Sequence, residues 1–284
     1  MFIEKIKTVF SYLLVSAFLF SCQSQPKQDK NALPGYNLRH PKVIKLNSKL
    51  IEISGIDYYP KDSSVFAIID EDGVFSKIYV HRNGETKSWY FDKKRDYEDV
   101  LRIDSTFYVL ISNGDLETLN FRNDSVISNT IKYPGSDKKV NEFESLYFDK
   151  AKRNLVMVCK ECKEDPKGVL SVWTFNIDSL TYNPDAFTID VNEIAERGGI
   201  NKGDFKPSAT AVNPLTNEVY IISSIAKLLV VMDMKGKVLH VAKLDPDLFK
   251  QPEGLTFTPS GDLLISNEWA EEGSANILFY KRQK

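Results

Sequence analysis

Three glutamates occupy the same place in a recurring phrase: Glu98 in DYEDVLRI, Glu144 in EFESLYFD and Glu253 in QPEGLTFT. Two further copies, EISGIDYY and KPSATAVN, carry Ser54 and Ser208 there, and the five positions are spaced by 44, 46, 64 and 45 residues. If the phrases meet around one axis, three carboxylates share a narrow ring. They repel one another and lose hydration, so each pKa rises unless a cation sits among them. Calcium suits such a set, because it takes about six to eight oxygen ligands with little demand on geometry. Magnesium wants a tighter octahedron, and zinc wants nitrogen or sulfur. Glu98, Glu144 and Glu253 are therefore candidate calcium ligands. The alternative is that they bond to backbone N–H groups of neighbouring segments or to Lys160.

What must position these side chains is a set of strands. From about residue 50 the chain reads as short alternating runs rich in Val, Ile, Tyr and Phe, separated by NG, DG, KG and SG turns, which is an all-β pattern. Each phrase is followed by a second strand (SVFAIIDED, TFYVLISNGD, NLVMVCKE, EVYIISS, DLLISNE), a third, and a fourth in all but the last unit. Units of about 40 to 50 residues with four strands each are propeller blades, so the spacing predicts a five-bladed β-propeller. The long interval holds an insertion, VNEIAERGGINKGDF at 191–205, with a short amphipathic helix predicted from Val191 to Arg197. The last unit runs out after three strands, whereas PKVIKLNSKL at 41–50 is a strand without a blade. It can complete the last blade and close the ring, leaving no long free edge. A β-sandwich would also use many short strands, but it has no need of the repeated phrase.

In a four-stranded blade the first strand lines the channel, and its start shares a face with the loop joining the second and third strands. Those loops add Asp70, Glu71, Asn113, Lys160, Glu161, Ser223, Ser224, Asn267 and Glu268 to the channel-mouth candidates Ser54 and Ser208. Trp269 follows on the same face and could stack on a ligand, while Glu271 and Glu272 read as a solvated loop. Cys159 and Cys162 end a strand. Zinc would need a second pair or nearby histidines, and His40, His81 and His240 are dispersed; a redox motif would need a helix at its first cysteine. A local disulfide and two free thiols both remain open. No GxSxG, HExxH or phosphate-cradling glycine loop occurs.

The 284 residues are 42% hydrophobic and 27% charged, as in a folded soluble protein. With 37 Lys+Arg against 39 Asp+Glu the formal charge is -2, so no basic field gathers nucleic acid. At the N-terminus, Lys5 and Lys7 precede an apolar stretch from Val9 to Phe20 that is too short to span a bilayer and reads as a secretory signal over 1–21. Leu19-Phe20-Ser21-Cys22 resembles a bacterial lipobox, which makes Cys22 the lipidation site; a plain cleaved signal or a retained anchor are the alternatives. Residues 22–40 are polar with Pro and Gly and read as a flexible tether, and 41–284 as the propeller. The tether has no acidic run after Cys22, so an outer-membrane lipoprotein facing the periplasm is favoured over the cell surface.

EISGID, IIDEDG, DYEDV, NEFESLYFD, KPSATAVNPLTNEVYIISS and QPEGLTFTPSGDLLISNE, in this order, resemble the SdiA-regulated family of bacterial propellers, distant relatives of the NHL-repeat propellers. The likeness covers about 45–284 and implies a five-bladed propeller with a calcium site. The family usually has Gly after the phrase glutamate, where this chain has Asp99 and Ser145. Three functions compete. The first is a lipid-anchored, non-catalytic envelope module whose calcium-holding mouth docks a small molecule or a protein partner. The second is a calcium-dependent hydrolase of lactones, esters or phosphate esters, with Glu71 or Glu268 activating water. The third is a structural spacer whose metal only closes the ring.

Overall fold

A computed structural model describes residues 32–82, 84–138, 141–268 and 275–283. In it the apolar runs bounded by turn residues pair into five four-stranded antiparallel sheets. Blade 1 is β2 (Ile53–Tyr59), β3 (Ser64–Ile69), β4 (Val74–Tyr79) and β5 (Glu85–Tyr90). Blade 2 is β6 (Tyr97–Ile103), β7 (Thr106–Ile111), β8 (Leu116–Arg122) and β9 (Ser125–Ile131). Blade 3 is β10 (Asn141–Asp149), β11 (Asn154–Cys162), β12 (Val169–Asn176) and β13 (Thr181–Asp190). Blade 4 is β14 (Ala209–Val212), β15 (Val219–Ser223), β16 (Leu228–Met232) and β17 (Val238–Lys243). Blade 5 joins β18 (Pro252–Phe257), β19 (Leu263–Asn267) and β20 (Asn276–Tyr280) to β1 (Lys42–Lys45). Lys42 pairs with Phe279 and Lys45 with Asn276, so the strand from the start of the chain closes the ring as the repeat predicts.

Burial follows strand rank. Middle strands such as SVFAII and LLVVM are buried at every position, because each sheet packs on both faces between neighbouring blades. The outer strand ETKSWY is exposed or half-buried throughout. The core is correspondingly split into inter-blade clusters. Between blades 1 and 2, Phe66 stacks on Phe75 at 5.0 Å and packs on Phe107 at 4.6 Å, geometries that add to simple area burial. The insertion forms one helix, α1 (Val191–Gly198), capped by Asp190, whose side chain accepts from the N–H groups of Asn192 and Glu193.

The boundary of the folded part differs from the sequence expectation. Leu33 and Tyr36, placed by sequence in the tether, are buried in the cluster shared by blades 4 and 5. The Tyr36 hydroxyl donates to the Gly261 carbonyl at 2.5 Å, and the Gln283 N–H donates to the Gly35 carbonyl at 2.9 Å. Leu33 and Tyr36, with the partly buried Leu38 packed against the same cluster, dock the segment on the closing blade. The signal, Cys22 and the start of the tether lie outside the described residues, as do Trp269, Glu271 and Glu272.

The five inner strands β2, β6, β10, β14 and β18 neighbour one another around the axis, and polar side chains tie them. Ser54 Oγ donates to the Glu98 carbonyl at 2.6 Å, Ser266 Oγ to the Ser54 carbonyl at 3.1 Å, and Ser208 Oγ to the Pro252 carbonyl at 2.7 Å. The residue after the phrase position is where strands approach most closely. A Cβ on Gly254 would lie 2.5 Å from the Ser54 carbonyl oxygen, and one on Gly55 would strike the Asp99 backbone. Asp99, which replaces the usual glycine in blade 2, is buried and uses its carboxyl as a tie, accepting from Val100 N–H and from Leu146 N–H of blade 3, both at 2.8 Å. Its bulk is admitted because Gly55 faces it without a side chain. We predict that Gly55→Ala lowers stability by about 1–3 kcal/mol through overpacking. Urea unfolding measures this, and an unchanged midpoint would refute the close-approach argument.

Candidate functional site: an acidic channel mouth

A single backbone device aims the phrase side chains. The strand register slips between Ile53 and Ile56, Tyr97 and Asp99, Phe143 and Ser145, and Pro252 and Gly254. Each slip leaves an extra residue on the inner strand, and in blades 2, 3 and 5 that residue is Glu98, Glu144 or Glu253. A β-bulge of this kind breaks the strict alternation of the strand and redirects a side chain. Here it brings the three glutamates to the end of the channel.

They line one cavity of about 200 Å³ together with Ser54, Asp70, Lys160 and Glu268. Three more carboxylates lie there that the sequence reading missed: Glu52, Asp96 and Glu142. Each stands two residues before the phrase position, in EIS, DYE and EFE. An acidic residue recurring two places before the phrase position in three of the five repeats was the available signal. Among the described residues the cavity thus gathers eight carboxylates and one lysine. The pairing is the same in three blades: Asp70 N–H donates to the Glu52 carbonyl, Ser112 N–H to the Asp96 carbonyl and Glu268 N–H to the Gln251 carbonyl.

The other candidates are placed elsewhere. Glu71 is exposed and pairs with Lys94 at 3.2 Å. Glu161 pairs with Lys206 of blade 4 at 2.6 Å, and Ser208 is a tie between blades 4 and 5. Asn267 is fully buried and donates to the Leu248 carbonyl and Asn276 Oδ1. Asn113 holds the turn before Asp115, accepting from its N–H. Cys159 and Cys162 are disulfide-bonded, with Lys160 and Glu161 inside the loop they close.

The carboxylates divide into two groups. Asp70, Asp96 and Glu98 each bring an oxygen to within 4.8 Å of the other two. Asp96 accepts from Ser112 Oγ, whereas Asp70 Oδ1 is buried with no hydrogen-bond partner among the described residues. On blade 3, Lys160 Nζ is 2.5 Å from Glu144 and 3.4 Å from Glu142, so Glu144 has the lysine contact that was its alternative reading. Burial and then the charges of Glu144, Asp96 and Asp70 push Glu98 up to about 11. Burial and then Asp96 push Asp70 up to about 7, and burial and then Glu144 push Glu253 to about 8. Glu144 is raised only to about 7, because Lys160 offsets part of the burial penalty. A small space holding this many oxygen donors and so little positive charge can accept protons or a hard cation.

The sequence profile of the SdiA-regulated family matches residues 29–271. No curated protein matches the chain in sequence. Solved propellers share its fold. The glutaminyl cyclase of Myxococcus xanthus has a TM-score of 0.57 at 11% identity, covering 85% of this chain and 95% of its own. Regucalcin of Agrobacterium tumefaciens, a calcium-binding protein, has 0.53 at 10% identity, covering 88% and 95%. A luciferin-regenerating enzyme has 0.51 at 11% identity, covering 85% and 95%.

The raised carboxyl pKa values set a sign for stability. Unfolded carboxyls release their protons near pH ~4, whereas Asp70, Glu144 and Glu253 in the folded mouth hold theirs to about 7 to 8. Over that interval the folded state binds more protons, so stability falls as pH rises. We predict that the metal-free protein melts at progressively lower temperature from about pH 5 to about pH 8, and that Glu98→Gln melts higher than wild type at the alkaline end. A wild-type melting temperature that rises across this interval would contradict the crowding described.

Proposed function

The chain belongs to the SdiA-regulated family, and we propose that it is a calcium-binding propeller whose metal-holding mouth presents a binding face to a small-molecule or protein ligand without turning it over. The observation that carries this is the convergence of Asp70, Asp96 and Glu98, from two blades, around a buried Asp70 Oδ1 that accepts no hydrogen bond from the described residues. The donors are all oxygen, which suits a hard cation and disfavours zinc. When bound, the ion supplies the positive charge that lets these carboxyls ionise, and Glu253 and Glu268 face the same cavity. Glu144 is shared with Lys160 and contributes less. Regucalcin, with the same architecture, supports calcium as the ion.

A second reading is favoured by one observation. Asp70 and Glu144 are raised to about 7, where a carboxyl is best matched to general acid–base work at neutral pH. On this reading the mouth hydrolyses a lactone, ester or phosphate ester, with Glu268 rather than the outlying Glu71 available to activate water. We further propose that Cys22 carries the lipid anchor and holds the propeller at the outer membrane, facing the periplasm; no nucleic-acid partner is expected of a chain with charge -2.

Calcium should raise the melting temperature by mass action, chelator should reverse the rise, and the rise should grow with pH because binding displaces protons. Asp70→Asn and Glu98→Gln should each lose most of it. No calcium response in the wild type would end the metal reading. Chelator-sensitive turnover in a panel of lactones, aryl esters and phosphate esters would replace the non-catalytic reading with the hydrolase. Metabolic labelling with a fatty acid in a bacterial host should mark the wild type and not Cys22→Ser; equal labelling of the two would remove the anchor.

A further inference from the structure

The five-fold repeat changes sign at one blade. At the phrase position, two residues before it and at the second-strand end, blade 1 has Ser54, Glu52 and Asp70, and blade 2 has Glu98, Asp96 and Ser112. Blades 3 and 5 likewise each supply two carboxylates, Glu142 and Glu144 in one and Glu253 and Glu268 in the other. Blade 4 supplies none. Its equivalent residues are Ser208, Lys206 and Ser224, and Lys227 follows in the same loop.

These residues form a second cavity of about 360 Å³, lined by Lys160, Lys206, Lys227, Ser208 and Ser224, and it shares Glu144, Lys160 and Glu253 with the acidic one. The two share a wall: carboxylates crowd the side of blades 1 and 2, while blade 4 brings Lys227 and Lys206, the latter paired with Glu161 at 2.6 Å on its outer side. Lys206 is delivered by the insertion, the single long spacing in the repeat. The chain leaves β13 on the mouth side, forms α1, and is anchored by the buried Phe205 immediately before Lys206. Lys227 is half-buried and donates to the Lys250 carbonyl, and among the described residues no ion pair is recorded for it. Burial lowers its pKa, with the charge of Glu253 offsetting part of that and Lys250 adding to it.

Lysines beside a cation site oppose the cation, so a mouth serving calcium alone gains nothing from them. An anionic ligand gains from both halves, because the metal and the ammonium groups attract it from opposite sides. We infer that the blade-4 side of the mouth is a subsite for a small oxyanion, a phosphate or carboxylate group, held by Lys206 and Lys227 with the Ser208 and Ser224 hydroxyls beside them. This deepens the calcium reading and rests on it in one respect: the ion supplies the anion's other contact.

Methyl phosphate and propionate, titrated calorimetrically into the calcium-loaded protein, separate the two sources of the anion. The subsite predicts that at least one binds, and that Lys206→Met/Lys227→Met weakens it by about tenfold or more, equivalent to about 1.4 kcal/mol, while keeping the calcium-induced rise in melting temperature. If the double variant does not fold, each single substitution should weaken binding severalfold. Binding of neither probe to the wild type, or equal binding by wild type and variants, overturns the subsite. A wild type whose melting ignores calcium defeats the metal reading instead; lysine-dependent binding of either probe in that protein still upholds the subsite.

Discussion

Closing five sheets into a ring brings five strand starts to within side-chain reach of one axis, and the charge crowded there is the constraint on which the rest of the molecule depends. Among the described residues, eight carboxylates face a cavity of about 200 Å³ with one lysine among them. Such a group is tolerable only if it binds protons, a lysine or a cation, and the mouth shows provision for each. Glu98 is pushed far toward its neutral form, Glu144 is bonded to Lys160, and Asp70, in the trio with Asp96 and Glu98, keeps an oxygen without a hydrogen-bond partner among the described residues. An arrangement of this kind stores electrostatic free energy that a divalent ion can release on binding.

The ring withstands this repulsion because its inner strands are tied by short polar side chains as well as by apolar packing. Ser54, Ser208 and Ser266 each donate to a carbonyl of the neighbouring blade, and Asp99 accepts an N–H from blade 3. Two of these ties fall on carbonyls of residues at the bulges, those of Ser54 and Glu98. Buried groups of this sort are costly when left unmade. In blade 2 the bulge and the tie are therefore coupled: the first turns Glu98 toward the axis, and the second gives its carbonyl a donor. The same crowding explains why glycine follows the phrase residue in blades 1 and 5, and why aspartate can replace it in blade 2 only opposite Gly55.

The asymmetry of the mouth comes from departures from the repeat. The disulfide-closed loop of blade 3 sends Lys160 inward to Glu144 and Glu161 sideways to Lys206. The insertion before blade 4 ends at Phe205, immediately before Lys206. A fold that repeats five times thereby acquires a direction across its mouth, acidic to basic. Direction of that kind distinguishes a surface that orients a ligand from one that only holds an ion.

Several features were determined by the sequence alone, because they repeat. The phrase spacing, the alternation of the strands and the missing fourth strand of the last unit specify blade number, strand order and closure by the segment at 41–50, since local periodicity encodes which face of a strand is buried. They also specify that Glu98, Glu144 and Glu253 share one end of the channel. Other features depended on distances between residues that no local pattern encodes. The tertiary structure decided that Asp96 and Asp70, rather than Glu144 and Glu253, complete the tight trio with Glu98, because the bulge geometry sets how far each side chain advances toward the axis. It decided that Glu71 and Glu161 turn outward to lysines, and that Leu33 and Tyr36 dock on blades 4 and 5 rather than extend as a tether. Periodicity places a residue on a face; only the packed ring sets which partner that face meets.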